Sequence, residues 1–369
     1  MTKLISILAA AVLAVSGCST GQAAQPEEKV NTPADRAQEI VEEMSLEEKV
    51  GQMFLARYPG DETAVSDIDQ YKFGGYLFFA VDFSDKTKEK AAEMIKACQD
   101  ASKTPLIIGV DEEGGLVNRV SKFPQYRNEP FKSPQELYKD GGYELISADT
   151  DEKCVLLKSL GINVNLAPVC DVSEDPSSFI YSRTFGQNAE ATAEYVSTVV
   201  SRMKAGGMGS VLKHFPGYGD NGDTHTDIII DNRPADDFRN RDFKPFTAGI
   251  EAGADMVLVS HNIVTSIDSE YPASLSPDVH KILRNELAFD GVIITDDLSM
   301  QAITKYTDGS AAAVQAVKAG NDLLCCTDYA VQIPAVIEAV KSGEISENEI
   351  DSSVKRIVQM KLDLGIIES

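Results

Sequence analysis

The sequence predicts a single-domain (β/α)8 barrel, and three observations carry that expectation. Short, almost wholly apolar runs alternate with longer amphipathic stretches along most of the 369 residues. Eight such pairs are present. Polar or charged residues stand directly after most of the apolar runs. Strands that are apolar on both faces imply a parallel sheet covered by helices. A barrel gathers its functional groups at the C-terminal ends of its strands, which is where this chain places its polar clusters. An open, doubly wound sheet is the alternative architecture that the same alternation permits.

From the N-terminus, Lys3 supplies a short positive region, residues 4–15 an apolar run, and Val15-Ser16-Gly17-Cys18 a small-residue processing site. That three-part layout reads as a secretory signal over residues 1–17, and its apolar run is short for a membrane span. The segment resembles a bacterial lipoprotein signal, which implies lipidation at Cys18 and a membrane anchor on the extracytoplasmic face. Residues 18–34, rich in Gly, Gln, Pro, Glu and Thr, read as a flexible tether. The barrel is expected over residues 35–369.

Residues 35–44 are helical in pattern, and Ser45-Leu46-Glu47-Glu48 is a capping box that opens a second helix. The expected strands are residues 51–55, 75–79, 106–110, 162–166, 210–212, 256–259, 292–294 and 322–325. Helical stretches between them include residues 87–101, 189–205, 245–252, 277–287 and 311–319, and residues 352–364 form a last helix.

Composition limits the partners. The formal charge is -24, from 34 Lys and Arg against 58 Asp and Glu, and there is no basic run. Phosphate backbones need clustered cations, so nucleic acid is not an expected partner. Apart from Cys18, five cysteines remain (Cys98, Cys154, Cys170, Cys325 and Cys326), an odd number at irregular spacing without a C-x-x-C. They suit core packing better than a disulfide framework or a metal site. No metal or other cofactor is expected.

The strand ends carry the chemistry. They read Asp111-Glu112-Glu113-Gly114-Gly115, Ala167-Pro168-Val169-Cys170-Asp171, Lys213-His214, Ser260-His261-Asn262, Thr295-Asp296-Asp297 and Thr327-Asp328. Such a succession points to a shared polar pocket. Asp296 ends a strongly apolar strand, where a carboxylate is costly unless it is paired or used. Asp297 suits a cap before Leu298-Ser299-Met300. In the glycine-rich loop after Lys213, Asp223 and His225 lie two apart, so the carboxylate can hold one imidazole nitrogen while the other faces a substrate. A carboxylate at an anomeric carbon and an acid on the leaving-group side are the minimum for retaining glycoside hydrolysis. Asp296 and the His225–Asp223 pair are the candidates for those roles.

Asp111, Arg119, Arg183, Lys213 and His214 are read either as partners of sugar hydroxyls or as salt bridges at the barrel top. His261 and Asp171 are expected to be supporting residues, and His280, between Pro277 and Leu283, a surface one.

Taken in order, these motifs resemble glycoside hydrolase family 3, in its β-N-acetylglucosaminidase branch. The stretch Met44 to Met53 resembles the family's opening helix. Gly109-Val110-Asp111-Glu112-Glu113-Gly114-Gly115 through Arg119, Leu166 to Asp171, Ser182-Arg183-Thr184-Phe185-Gly186, Lys213-His214-Phe215-Pro216-Gly217 and Thr295 to Met300 follow. The resemblance implies a retaining exo-β-N-acetylglucosaminidase acting on peptidoglycan fragments or chitooligosaccharides. Asp296 would be the nucleophile, His225 the acid/base and Asp223 its partner, with Asp111, Arg119, Arg183, Lys213 and His214 binding the sugar.

In this branch the loop pair replaces an acid that the family's β-glucosidases take from a second domain, and the expectation here is a single domain that closes with the helix over residues 352–364. A phosphorylase using phosphate in the second step, and a catalytically silent sugar-binding lipoprotein, are the alternatives. Two departures stand out. Tyr218 occupies a position that is usually histidine in a loop one residue shorter than usual, and Thr226-Asp227-Ile228-Ile229-Ile230 differs from the usual leucine-containing run. Both bear on the aglycone and the N-acyl sugar.

Overall fold

The computed structural model describes residues 33–219, 221–224 and 226–368. The signal segment, Cys18, His225 and all but the end of the tether lie outside them. Eight parallel strands form the centre: β1 (Phe54–Arg57), β2 (Gly75–Phe78), β3 (Ile107–Val110), β4 (Val164–Asn165), β5 (Gly209–Phe215), β6 (Met256–Val259), β7 (Val292–Thr295) and β8 (Leu324–Cys326). They are joined in the order β7-β6-β5-β4-β3-β2-β1-β8. The ring closes between its two ends, where Thr295 N donates to Leu323 O at 3.1 Å and Ile294 bridges Leu323. That closure makes the sheet a barrel and rules out the open arrangement.

The strands are short, and all residues of β2, β3, β6 and β7 are buried. Their inward side chains fill the barrel, while their outward ones meet the helices, so both faces must be apolar. Each strand is followed by a helix: Ala64–Tyr71, Lys88–Ala101, Pro134–Ser159, Ala189–Ala205, Phe243–Glu251, Pro277–Lys281, Gly309–Ala319 and Tyr329–Lys341. The chain then runs into Glu347–Asp363, which packs on the first helix, Pro33–Glu42.

Local chemistry sets most of these starts. Ser45, Thr87, Ser133, Asn188, Ser276, Asp308 and Ser346 each accept a hydrogen bond from a backbone N–H of the first turn.

Several boundaries differ from expectation. The described part of the first helix already includes Pro33 and Ala34, ahead of the expected residue 35, and proline is tolerated in a first helical turn. Residues 51–52 finish the helix Leu46–Gln52, and Met53 caps it, so β1 starts only at Phe54. An apolar run that crosses from helix into strand has no periodicity to mark the junction. Strand β5 runs on through Lys213 to Phe215. His280 is buried, not at the surface: its Nδ1 lies 2.7 Å from Ser276 O, and burial lowers its basicity. The five cysteines among the described residues are buried and unpaired.

One charge sits apart from the functional end. Lys361, on the last helix, is fully buried and donates to Gln52 Oε1 at 2.7 Å. No carboxylate pairs with it among the described residues, and burial pulls its basicity from 10.5 down to about 7. The ammonium therefore penalises the fold fully below pH about 7, and the penalty fades as pH rises toward the ordinary lysine value. We expect Lys361→Met to gain stability relative to the native protein near neutral pH. That advantage, a few kcal/mol at roughly 1.4 kcal/mol per pKa unit, should shrink steadily toward pH ~10. Denaturant melts at intervals across that range measure it, and a difference that stays constant with pH would count against an uncompensated ammonium.

Candidate active site

The C-terminal end of the barrel holds a cavity of ≈ 500 Å³, within the range usual for small-ligand sites. Leu77, Leu166, Leu258 and Cys325 line its apolar floor, and Asp111, Glu113, Arg119, Arg183, Lys213, His214, Asp296 and Asp297 its polar wall. Six residues singled out from sequence thus meet in one place, contributed by β3, the loop after β4, β5 and the end of β7.

The arrangement is built outward from Lys213. Its side chain is 2% exposed, and its Nζ lies 2.7 Å from Asp111 Oδ1 and 2.6 Å from Glu113 Oε1. Burial alone would discharge the ammonium, but Asp111 and Glu113 outweigh it and raise its basicity. Glu113 is buried as well, and Arg183 grips it with a two-pronged contact, Nε at 3.0 Å and Nη2 at 2.7 Å. Burial opposes ionisation of Glu113, yet Lys213 and Arg183 together hold its carboxyl far below the usual range. Arg119 stands further out, its Nη2 3.7 Å from Asp111 Oδ2 and its guanidinium 5.4 Å from the centre of the Phe79 ring.

His214 connects this ionic group to the next strand. Its Nε2 lies 3.2 Å from Arg183 Nη2 and its Nδ1 2.7 Å from Asp171 Oδ2. Arginine only donates, so Nε2 accepts and Nδ1 carries the proton that Asp171 receives. Both ring nitrogens are thereby engaged within the protein, and the histidine aligns Arg183 from the cavity wall. Asp171 is held beside it because the chain after β4 continues along β5. Val211 N donates to Ala167 O at 2.9 Å, Lys213 N to Pro168 O at 3.3 Å, and Cys170 N to Lys213 O at 2.6 Å. The Ala167–Pro168, Lys213–His214 and Phe215–Pro216 peptides in these segments are cis.

Asp296 enters from the opposite side. Strands β3 and β7 are four places apart in the eight-strand ring, so Asp296 faces Asp111 across the barrel axis. Its Oδ1 accepts from Asp297 N at 2.9 Å. Asp297 behaves as the expected cap, accepting from Ser299 N at 2.8 Å and from Thr327 Oγ1 at 3.3 Å. His261 is fully buried and spans Ser274 Oγ (2.7 Å) and Asp297 O (2.9 Å), a supporting place.

The loop after β5 rises beside this wall. Gly217 and Gly219 have φ of 112° and 58°, and a β-carbon would lie 2.8 Å from Asp242 Oδ1 in the first case and 2.6 Å from Arg233 Nη1 in the second. Asp223 is half-buried in this loop, and its carbonyl accepts from Thr226 N (3.3 Å) and Thr226 Oγ1 (3.0 Å). His225 lies outside the described residues. Among the described residues no group of three or more His, Cys, Asp or Glu side chains is placed to hold a metal ion.

Two further acids serve the site without standing out in the sequence. Glu113 is the joint between Lys213 and Arg183. Glu112 accepts from the N–H groups of Arg119 (2.8 Å), Val120 (2.8 Å) and Ser121 (3.0 Å), folding the segment that carries Arg119. The available signal is three consecutive acids after an apolar strand, of which only Asp111, the first, falls at the strand end itself.

A barrel with this wall has relatives. The model of the glycosyl hydrolase family 3 N-terminal domain matches residues 45–360. The chain belongs to glycosyl hydrolase family 3. As a member of that family it is a glycoside hydrolase and acts on a carbohydrate. A β-hexosaminidase of Nitrosomonas eutropha is 33% identical over 261 residues, 69% of this chain and 74% of that one. The family 3 β-N-acetylglucosaminidase of Paenibacillus sp. str. FPU-7 superposes with a TM-score of 0.81 at 30% identity, over 88% of this chain. This chain spans only 64% of that protein's length. LpqI of M. tuberculosis superposes with a TM-score of 0.80 at 28% identity, over 88% of this chain and 96% of its own.

Glu113 gives the test of the ionic group. Glu113→Gln keeps the shape but leaves Arg183 without its paired carboxylate and Lys213 with Asp111 alone. Breaking a buried pair in this way costs ~3–5 kcal/mol, so chemical denaturation should show a loss of that order, with a raised KM for the sugar. A loss below about 1 kcal/mol, the level of a surface pair, would mean the two cations need no such anchor.

Proposed function

We propose that this glycoside hydrolase is a retaining exo-β-N-acetylglucosaminidase. The observation that carries the reading is the placement of Asp296 across the barrel from the Asp111–Lys213–Glu113–Arg183 group, in a cavity sized for a sugar. The β-hexosaminidase and β-N-acetylglucosaminidase relatives support the substrate class. Asp111, Arg119, Arg183 and Lys213 bind the sugar hydroxyls, with His214 aligning Arg183.

In the first step the Asp296 carboxylate attacks the anomeric carbon while the glycosidic C–O bond breaks, and His225 gives its proton to the departing oxygen. In the second, water adds to the same carbon and His225, oriented by Asp223, takes the water's proton. The glycosyl ester breaks and Asp296 leaves as a carboxylate. Peptidoglycan fragments or chitooligosaccharides are the proposed substrates, and residues 1–17 the proposed lipoprotein signal, with lipidation at Cys18 that would place the enzyme on the extracytoplasmic face of a membrane.

Charge favours water over phosphate as the second-step acceptor. The wall carries Asp111, Glu113, Asp296 and Asp297 against Arg119, Arg183 and Lys213, and each of the three cations has a carboxylate partner. An anion entering there meets no surplus positive charge.

A fluorinated GlcNAc analogue with an activated leaving group should label the enzyme once, on the peptide containing Asp296, and Asp296→Ala should abolish both label and turnover. His225→Ala should lose roughly 10²–10⁴-fold on substrates with poor leaving groups and far less on activated aryl glycosides. Label on another carboxylate, or GlcNAc-1-phosphate formed when phosphate is added, would sink the assignment.

A further inference from the structure

The loop bearing Asp223 and His225 has almost no apolar residues of its own. Tyr218 is the exception. Its side chain is buried, with Phe179 edge-on at 5.2 Å and the His214 ring at 5.1 Å. Its backbone N–H donates to Asp171 Oδ1 at 2.8 Å, the same carboxylate whose other oxygen receives the N–H and ring proton of His214. Its phenol then reaches forward six residues, to 2.6 Å from the hydroxyl of Thr224. Thr224 is fully buried and stands between Asp223 and His225 in the chain. Its carbonyl is approached by Ala302 N at 3.4 Å, on the segment that follows Asp296.

Tyr218 is therefore fixed at one end to the group that holds Arg183 and bonded at the other to the centre of the Asp223–His225 segment. We infer that Tyr218 is a positioning residue for the acid/base loop, holding that segment over the sugar site through its hydrogen bond to Thr224. The inference rests on the assignment of Asp223 and His225 under Proposed function. The residue at this position is where the loop departs from the usual pattern of the branch it resembles, so the device belongs to this chain. Burial, and then the nearby Asp296 carboxylate, push the phenol's pKa up, which keeps it protonated as a neutral hydrogen-bonding group.

Positioning through Thr224 has a kinetic signature that packing alone lacks. A misplaced acid harms only reactions whose leaving group needs a proton. Tyr218→Phe keeps the ring in its pocket and removes the bond. We expect its kcat/KM to fall roughly ten- to hundred-fold on chitobiose and to change less than about three-fold on a dinitrophenyl β-GlcNAc, whose leaving group needs no protonation. Thr224→Val removes the same bond from the other end and should reproduce the split, which guards against a folding defect peculiar to one variant. In a His225→Ala background, Tyr218→Phe should add little further loss on chitobiose, because both act through one proton transfer.

A parallel loss on both substrates, or none on either, overturns the inference while leaving the assignment of the acid/base intact, provided His225→Ala itself shows the leaving-group dependence. If His225→Ala shows none, the assignment fails and the inference goes with it.

Discussion

An ammonium buried to the extent of Lys213 costs several kcal/mol unless opposite charges are fixed around it, and the top of this barrel is organised by meeting that demand. Two carboxylates from the end of β3 supply the charge, but a second buried carboxylate creates a demand of its own. Arg183 answers it from the loop after β4. The guanidinium in turn needs an acceptor on its inner side, which His214 provides only in one tautomer, and Asp171 fixes that tautomer. Each group is thus specified by the one before it, across three neighbouring strands. The consequence is a cavity wall whose polar groups are aligned before any ligand arrives, so binding does not have to order them.

The loop over this site obeys a different logic. It cannot be held by a core, because residues 217–227 are mainly glycines and polar or acidic side chains. Point attachments hold it instead. At the base, Arg233 donates to Gly217 O at 2.8 Å and is itself gripped by Asp231 and Asp242. Further along, Tyr218 meets Thr224. On the far side, Lys305 donates to Thr226 O and Asp227 Oδ1, both at 3.0 Å. These attachments run from Tyr218, tied to Asp171, to Thr226 and Asp227, held by Lys305 on the segment after Asp296, which suits the acid/base role proposed for His225. Glycine at 217 and 219 lets the backbone pass within contact of Asp242 and Arg233.

Much of this is legible in the sequence, and what is not has physical causes. Strands stand out because their burial on both faces leaves apolar runs. The polar wall stands out because a charge directly after such a run is carried to the rim of the barrel, where only a pocket or an ion pair accommodates it. Residues 51–53 mislead because apolar continuity hides a helix-to-strand junction. His280 reads as a surface residue because its helical spacing says nothing of the helix Gly309–Ala319 that packs against its own. Glu113 is silent for a different reason: its meaning lies in Lys213 and in Arg183, the latter 70 places along the chain, and only folding brings them together. Tyr218 is visible as a departure, yet its partner Thr224 cannot be read from spacing.

The exchange of histidine for tyrosine at position 218 can be weighed by what each would do as pH changes. An imidazole titrates near ~6.5, within the range where an acid/base histidine must also change state. A phenol pushed up by burial does not. With tyrosine there, the bond that steadies Thr224 keeps one form throughout the proton transfers proposed for His225, so the two are separated chemically. The group that does titrate nearby is Asp242 at the loop's base, where burial raises it to about 6 against the pull of Arg233 and Arg241. Its protonation would weaken the grip on Arg233 from one side. Asp231, fully buried and bound to the same guanidinium at 2.7 Å, holds the other side. The base of the loop therefore rests on two carboxylates, so it tolerates the loss of one charge, while the bond between Tyr218 and Thr224 further along is a neutral one that pH in this range leaves unchanged.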